Sequence, residues 1–561
     1  MSQLPETANL EQLRNQAKSL VKSIRNGDSA SAERVHTHLP RARALSIEQI
    51  LKASLTLTEA QLVIARENGF PSWPRLKAHV ETLSPTQEDT LTAFRKAVRA
   101  GDAEAVRALL TLSEFLRDEI DSPWFTFDAP ALNVAAGRQD LPMVELLLEF
   151  GADPSARSHW WAGGFSPLSR ANAETARLLI AHGATVDIDD AAHLDMLDRV
   201  RELLASDPAL VNARRGDGQS PLHYARSVEV AAYLVDHGAD LELRDLDHGS
   251  TAAQTVVADR PEVCRYLLSR GATPDIFMAA QLDDADLART LLAADPSSLN
   301  ARVGEPPFTS GDSDGGHIYV YTLKTGESPL YLAAMLGHRA VEEVLLEHAS
   351  PMQRLAAAVV ACDGPLAGRL VEEEPTLAVS LGPLELRVLP DAAWRNRIDS
   401  VRLALDIGFP VDAVGDEEST ALNRAAVRGY AEIVALTLEH GADPGLKNAH
   451  GGTALRSALW GCKNFRDQAG DYPRTVGLLL ETDRPWREVS FPAGIPEVDA
   501  VIRQYLELQT ASLCAAVLLN DAARVARLLA DGADPDVPER PDDITPRELA
   551  AREGRSSLLP T

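Results

Sequence analysis

The stretch DLDHGST, residues 245–251, puts two aspartates, a histidine, a serine and a threonine in seven positions. A carboxylate, an imidazole and a hydroxyl are the parts of a hydrolase triad, in which an oriented base takes the nucleophile's proton. Adjacent in one loop, these residues cannot converge as a buried nucleophile, base and orienter. Asp-x-x-x-Gly-x-Thr is ordinary hairpin chemistry instead. GEPPFTSGDSDGG, 304–316, is glycine-rich like a phosphate-cradling loop. No Lys-Ser or Lys-Thr follows it and no strand-to-helix context surrounds it, so it reads as an insertion. HTH at 36–38 offers two imidazoles at i and i+2, on different sides of a helix and without a Cys, Asp or Glu partner nearby, which predicts a solvated pair. H-E-x-x-H does not occur, and no G-x-S-x-G nucleophile turn is read: GDSDG, 311–315, lies within the 304–316 insertion and lacks the strand-to-helix context such a turn needs. The sequence therefore predicts no catalytic residue, no metal site and no cofactor.

The remaining chemistry is that of contact. RSHWWAGGFSP, 157–167, places Trp160 and Trp161 in a predicted loop. HIYVYTL, 317–323, alternates, which predicts a small strand with Tyr319 and Tyr321 on one face. LWGCKNFRDQAGDY, 459–472, adds Trp460, Phe465 and Tyr472. Large exposed aromatics anchor interfaces; the competing reading is that these side chains pack their loops onto the body of the protein. These seven residues are the candidate partner-binding positions.

The elements that must hold them repeat. YLVDHGADL, 233–241, returns as LLLEFGADP (146–154), LLIAHGATV (178–186), YLLSRGATP (266–274), LALDIGFPV (403–411), LTLEHGADP (436–444) and LLADGADPD (528–536). Gly151 to Gly183 is 32 residues, and Gly238 to Gly271 and Gly408 to Gly441 are 33 each. A fixed period of this size signals stacked structural units. In VELLLEFGADP, Val144, Leu147 and Leu148 fall on one helical face. Gly151 closes the helix and Asp153-Pro154 opens a turn. Between these phrases lie helix starts: SPLSRA (166–171), SPLHYA (220–225), SPLYLA (328–333), TALNRA (420–425) and TALRSA (453–458). In these, Ser or Thr caps, Pro fits the first turn and Leu points inward.

TALNRAAVRGYAEIVALTLEHGADP and ESPLYLAAMLGHRAVEEVLLEHA resemble the ankyrin repeat, and several copies agree in register. The resemblance implies an all-α ankyrin-repeat solenoid of stacked helix-turn-helix units with short hairpin loops, and with it non-catalytic protein–protein recognition or scaffolding through the concave face and loop tips. It also implies a structural role for His223, bonding the capping hydroxyl and the next hairpin. Units at 166 and 220 are shortened, units near 206 and 294 end in Asp-Pro, and insertions fall at about 302–327 and 461–475. This mixture looks like a bacterial family of ankyrin proteins.

Residues 1–83 lack the repeat phrase and predict a helical module, in which Leu13, Ala17, Leu20, Val21 and Ile24 share a face, Gly27 stops the first helix, a second begins at Thr58 and a last one at Ser72. Residues 84–90 read as a linker and 91–556 as the array.

The chain has 561 residues and a net charge of −27, with +3 on residues 1–83 and −30 on the rest. An acidic surface of this size repels nucleic acid and anionic membranes and attracts basic partners. A helix-turn-helix reading of the N-terminal module lacks a clustered basic stripe. Four scattered cysteines, no long apolar run and no basic-then-apolar start predict a cytoplasmic protein with reduced thiols. The partner is unknown. The alternative function is a regulatory accessory or inhibitor of an enzyme, or a small-ligand binder using the 302–327 insertion.

Overall fold

The computed structural model describes residues 10–81, 85–309, 315–482, 488–489, 491–539 and 544–560. Secondary structure among them is helical, and strand-like pairing is confined to isolated bridges such as Gly164–Gly216 and Val414–Thr420. The chain divides into two compact units, Met1–Leu282 with Asn300–Ser328, and Asp283–Leu299 with Pro329–Thr561.

In the first unit the N-terminal segment forms helices Leu10–Arg25, Ser29–His38, Ile47–Lys52, Leu57–Glu67 and Trp73–Glu81. Leu13, Ala17, Leu20 and Ile24 are buried together, and Val21 and Trp73 pack against that core. The fourth helix is capped by Thr56 rather than Thr58: Thr56 Oγ1 accepts from Glu59 N, and the Glu59 carboxylate accepts from Thr56 N at 3.0 Å. This reciprocal box satisfies two helix-start donors that Thr58, already in the first turn, cannot reach. Residues 85–90, expected as linker, belong to the helix Pro85–Ala100.

The repeats begin as expected. Ala131–Gly137 and Leu141–Glu149 form one hairpin, closed by Gly151 at φ +93°. The shortened units have almost no first helix. Residues 166–171 make only turns, and Pro221–Tyr224 is a single helical turn. Without the residues of the inter-helix turn, the chain has too little length to complete a second turn before the outer helix starts. Where Asp-Pro replaces Gly-Ala, Asp207 is extended (φ −144°) and its carboxylate accepts from Ala209 N, so the chain leaves through the short 3-10 turn Pro208–Asn212.

A recurring polar device is a box at the helix start. Ser220 N and Oγ both donate to His223 Nδ1 (3.2 and 3.0 Å), and His223 Nε2 donates to Ser250 O at 3.1 Å on the next hairpin. Burial dominates the imidazole and pushes its pKa down to about 4, so the neutral tautomer serves as a link between neighbouring units. In the second unit Asn423 occupies the equivalent place: Thr420 N donates to Asn423 Oδ1 (3.2 Å), and Asn423 Nδ2 donates to Leu446 O at 3.4 Å.

The insertion at 302–327 is not a strand. Residues 318–324 are helical. Residues two apart on a helix point about 200° apart, so Tyr319 is fully buried while Tyr321 is 65% exposed. The pattern IYVY was overridden by a tertiary bond. Tyr319 OH donates to Asp275 Oδ2 at 2.9 Å, beside Gln254 Nε2 at 3.1 Å, and these donors serve a carboxylate whose pKa burial drives up. Phe308 and Phe277 close around Tyr319 with ring centroids 5.7 and 5.5 Å away.

Candidate protein-recognition surface

In the second unit the first helices of three successive repeats, Val388–Trp394, Ala421–Arg428 and Ala454–Asn464, carry a continuous stack of aromatic and guanidinium groups at their C-terminal ends. The Arg428 guanidinium lies 4.8 Å from the Trp394 ring centroid and 4.8 Å from that of Phe465, and Arg424 lies 5.1 Å from Trp394. Trp394 and Phe465 meet edge to face at 5.5 Å, and Trp460 lies 6.3 Å beyond Phe465. Arg428 is held from the other side by Asp467 (Nε to Oδ2, 2.7 Å), to which Tyr430 OH also donates at 2.8 Å. Trp460 is 53% exposed and Phe465 40%.

The insertion that carries this surface is attached to the preceding repeat from beneath. Tyr472 is buried; its OH donates to Val427 O at 3.2 Å and accepts from Asp467 N at 3.3 Å, fastening the 461–475 insertion to the preceding repeat. Gly461 lets the helices meet: an added Cβ there would stand 1.9 Å from Val427 O. The small residues Ala425, Ala426 and Ala458 bury themselves along the same contact.

Of the seven expected contact residues, Trp460 and Phe465 share this patch. Tyr472 and Tyr319 are enclosed, and neither side chain is available to a partner, because each phenol is consumed by a buried acceptor. Tyr321 stands exposed over His248, ring centroids 5.2 Å apart, and donates to Gly315 O. Trp160 and Trp161 are half-buried in the first unit, 6.1 Å apart, with Trp160 Nε1 donating to Asp217 Oδ1 at 3.0 Å. Trp394, Arg424 and Arg428 were not singled out in the sequence. Their signal was available: bulky residues close to the ends of three helices in register.

Two acidic clusters have the spacing of metal ligands. Asp187, Asp189 and Asp190 already face Arg157, whose Nη2 lies 2.8 Å from Asp187 Oδ2 and 3.4 Å from Asp189 Oδ2. Asp190 is buried; desolvation and the neighbouring Asp189 charge push its pKa to about 7, and Ser166 Oγ donates to it at 2.6 Å. In the other cluster His248 sits 3.6 Å from Asp217 and 3.9 Å from Asp247, with Nδ1 donating to Gly316 O at 2.9 Å. Burial works against the imidazolium, but the Asp217 and Asp245 carboxylates overcome it and raise the pKa to about 9. A built-in cation thus fills the role of a metal in each cluster. The rest of DLDHGST is turn chemistry: Asp245 Oδ1 accepts from Gly249 N at 3.1 Å, and Ser250 Oγ accepts from Ile318 N at 3.2 Å.

All four cysteines are free thiols. No helix among the described residues is long and apolar enough to cross a membrane. Residues 188–278 match the family model for ankyrin repeats. The B-cell lymphoma 3 protein homolog of Mus musculus is 28% identical over 265 residues, covering 46% of this chain and 51% of that protein. The ankyrin repeat and SAM domain-containing protein 6 of Mus musculus is 31% identical over 135 residues, covering 21% of this chain and 15% of that protein. The chain thus matches about half the length of the first relative and much less of the second. The repeats and these relatives support a role in protein–protein interaction. The chain carries ankyrin repeats, and its fold class is the all-α ankyrin-repeat solenoid.

Proposed function

We propose that the protein is a non-catalytic recognition module that grips a protein partner through the Trp394–Arg428–Phe465–Trp460 patch of its second unit. One observation carries this reading: two large aromatics stand exposed, in ring contact with each other and with Trp394 and Arg428, at the end of a row of repeat helices. Side chains already ordered lose little freedom when a partner covers them, and Trp and Arg dominate the energetics of such contacts. The chain's net charge of −27 favours a partner with a basic surface. The described part of the 302–327 insertion is filled by Phe308 and Tyr319, so the structure offers less support for the small-ligand reading of that segment.

The test is affinity capture with the full chain, the double variant Trp460→Ala/Phe465→Ala, and Leu112→Ala as an exposed control in the other unit. A partner retained by the wild type and the control, and weakened by about 30-fold or more in the double variant, is expected for a hot spot of about 2 kcal/mol. An identical set of captured proteins at identical affinity removes the patch from the function.

A further inference from the structure

The first unit holds a second site, and its chemistry is the opposite of the chain's. Lys18, Lys22 and Arg25 fall at i, i+4 and i+7 of the helix Leu10–Arg25, on one side of it. Arg95 and Arg99 fall at i and i+4 of Pro85–Ala100. All five line one cavity of about 600 Å³, within the range of roughly 300–1,000 Å³ usual for small-molecule sites. Asp128 is the one acid on its wall. In a chain of net charge −27, five cations facing one carboxylate invert the local field. Lys18, Arg25 and Arg99 form no ion pair among the described residues, so their charge is not cancelled locally.

Much of the remaining lining is aromatic. Trp160 and Trp161 line it together with Phe127, which meets Trp160 edge to face at 5.0 Å. Lys22 Nζ stands 4.8 Å over the Trp161 ring, joining the cationic and aromatic walls. Trp161 Nε1–H is buried with no acceptor among the described residues. Phe127 and Asp128 both hold left-handed backbone, φ +63° and +49°, an arrangement that costs energy in a bulky residue and concentrates at ligand sites. Asp128 is only 8% exposed and accepts no hydrogen bond at its carboxylate among the described residues.

We infer that this cavity binds a nucleoside phosphate, with the phosphates toward the lysines and arginines of the two helices and the base toward the indoles and Asp128. The cations supply charge-assisted donors for phosphate oxygens. The indole faces supply stacking for a planar base, and the adjacent cation strengthens it. The carboxylate, which burial alone raises to about 6, is a ready acceptor for ring or exocyclic N–H groups. A ligand that carries both N–H donors on a planar ring and negative charge meets the carboxylate and the cations of this one lining. The cavity's size selects a single nucleotide, and the acidic remainder of the chain repels a long polyanion.

The experiment titrates the full chain with GDP and ADP, with guanosine as the ring without charge and pyrophosphate as the charge without a ring. Binding is followed by calorimetry and tryptophan emission, because Trp160 and Trp161 report a stacked base directly. At least one nucleotide is expected to bind at a Kd of the order of micromolar, to quench the emission, and to weaken several-fold when salt rises from about 20 to about 200 mM. The variant Arg25→Glu/Arg99→Glu alters two exposed side chains and keeps the wild-type melting midpoint; its nucleotide affinity is expected to fall at least about tenfold, or about 1.4 kcal/mol. Absence of both heat and quenching at about 1 mM nucleotide, or equal affinity in the charge-reversed variant, overturns the inference. Pyrophosphate binding as tightly as GDP and ADP overturns the role of the base.

Discussion

Replacing Gly461 by alanine sets two physical effects against each other. Gly461 lies inside the helix Ala454–Asn464, where alanine is preferred over glycine by about 1 kcal/mol on intrinsic grounds. The added Cβ, however, falls 1.9 Å from Val427 O, and real Cβ atoms essentially never come within 3.0 Å of a neighbour. The obstacle is backbone inside the helix Ala421–Arg428 and cannot rotate aside, so the two helices must part by about 1 Å. A gap of that size forfeits between a quarter and a half of the dispersion well for the atoms lining it. Leu422, Ala425, Ala426, Leu455 and Ala458 all lose contact together. Overpacking of this kind costs up to about 3 kcal/mol; less the propensity gain, about 2 kcal/mol of local stability is lost. Repeat arrays do not unfold as a single two-state unit, so hydrogen exchange of peptides covering 421–480 is the appropriate measurement. Exchange there is expected to speed up about 30-fold. Gly368→Ala is the control: that glycine sits within the helix Gly364–Glu373, an added Cβ meets nothing within 4 Å, and slight stabilisation of about 0.5–1 kcal/mol is expected. If Gly461→Ala stabilises its helix as Gly368→Ala does, the close approach of the two repeats is refuted, and with it the account of how Trp460 is positioned.

The other expected outcomes follow from single bonds. His223 has a folded pKa of about 4 against an ordinary 6.5, so the unfolded chain binds the proton more readily; the stability it lends is present above about pH 6.5 and is lost as pH falls toward 4. Urea midpoints at pH 7 and 4.5 check this, and His223→Gln is expected to remove part of the pH dependence. His248 has the opposite sign. Its folded pKa is near 9, so its contribution is complete below about pH 6.5 and is lost as pH rises through 9. Exchange protection of residues 245–251, compared between wild type and His248→Gln, is expected to differ at pH 6.5 and to converge near pH 10. Tyr319→Phe removes a donor from the buried Asp275 carboxylate and is expected to cost about 1–3 kcal/mol, read as easier proteolysis of the 302–327 insertion.

The parts legible in the sequence were those written in local chemistry. The glycine-closed helices and the buried face of the Leu10–Arg25 helix are each set by residues within a few positions of one another, the period shows as their recurrence, and the role of His223 came from the resemblance to the ankyrin repeat. The Thr56–Glu59 box was equally local, but Thr58 stood close enough to take its place. Tyr319 could not be placed locally, because its burial is decided by Asp275, 44 residues away. IYVY alternates as a strand does, and the demand of a buried carboxylate for a donor outweighed that pattern. Trp394 looked unremarkable in DAAWRN until two further helices brought Arg428 and Phe465 against it. The cationic cavity draws on residues from Lys18 to Trp161. Its traces in the sequence were the Trp160-Trp161 pair and the +3 balance of residues 1–83, and nothing local joined the two.

Both sites stand where the repeat pattern is broken. A consensus unit spends its side chains on stacking, and its surface positions are interchangeable between copies. Residues 166–171 have no helix, and the loop before them, with Trp160 and Trp161, brings indoles beside the Leu10–Arg25 helix. The unit beginning at Thr453 gained length instead. Its helix runs on to Asn464, crosses its neighbour closely at Gly461, and carries Trp460 and Phe465 beyond the regular row. Locally consistent segments build the scaffold, and local rules give way where something other than stability has been selected. Restoring the consensus in either broken unit, by inserting the missing turn after Ala171 or deleting 462–470, is expected to leave the flanking repeats stable while removing the binding that each departure supports.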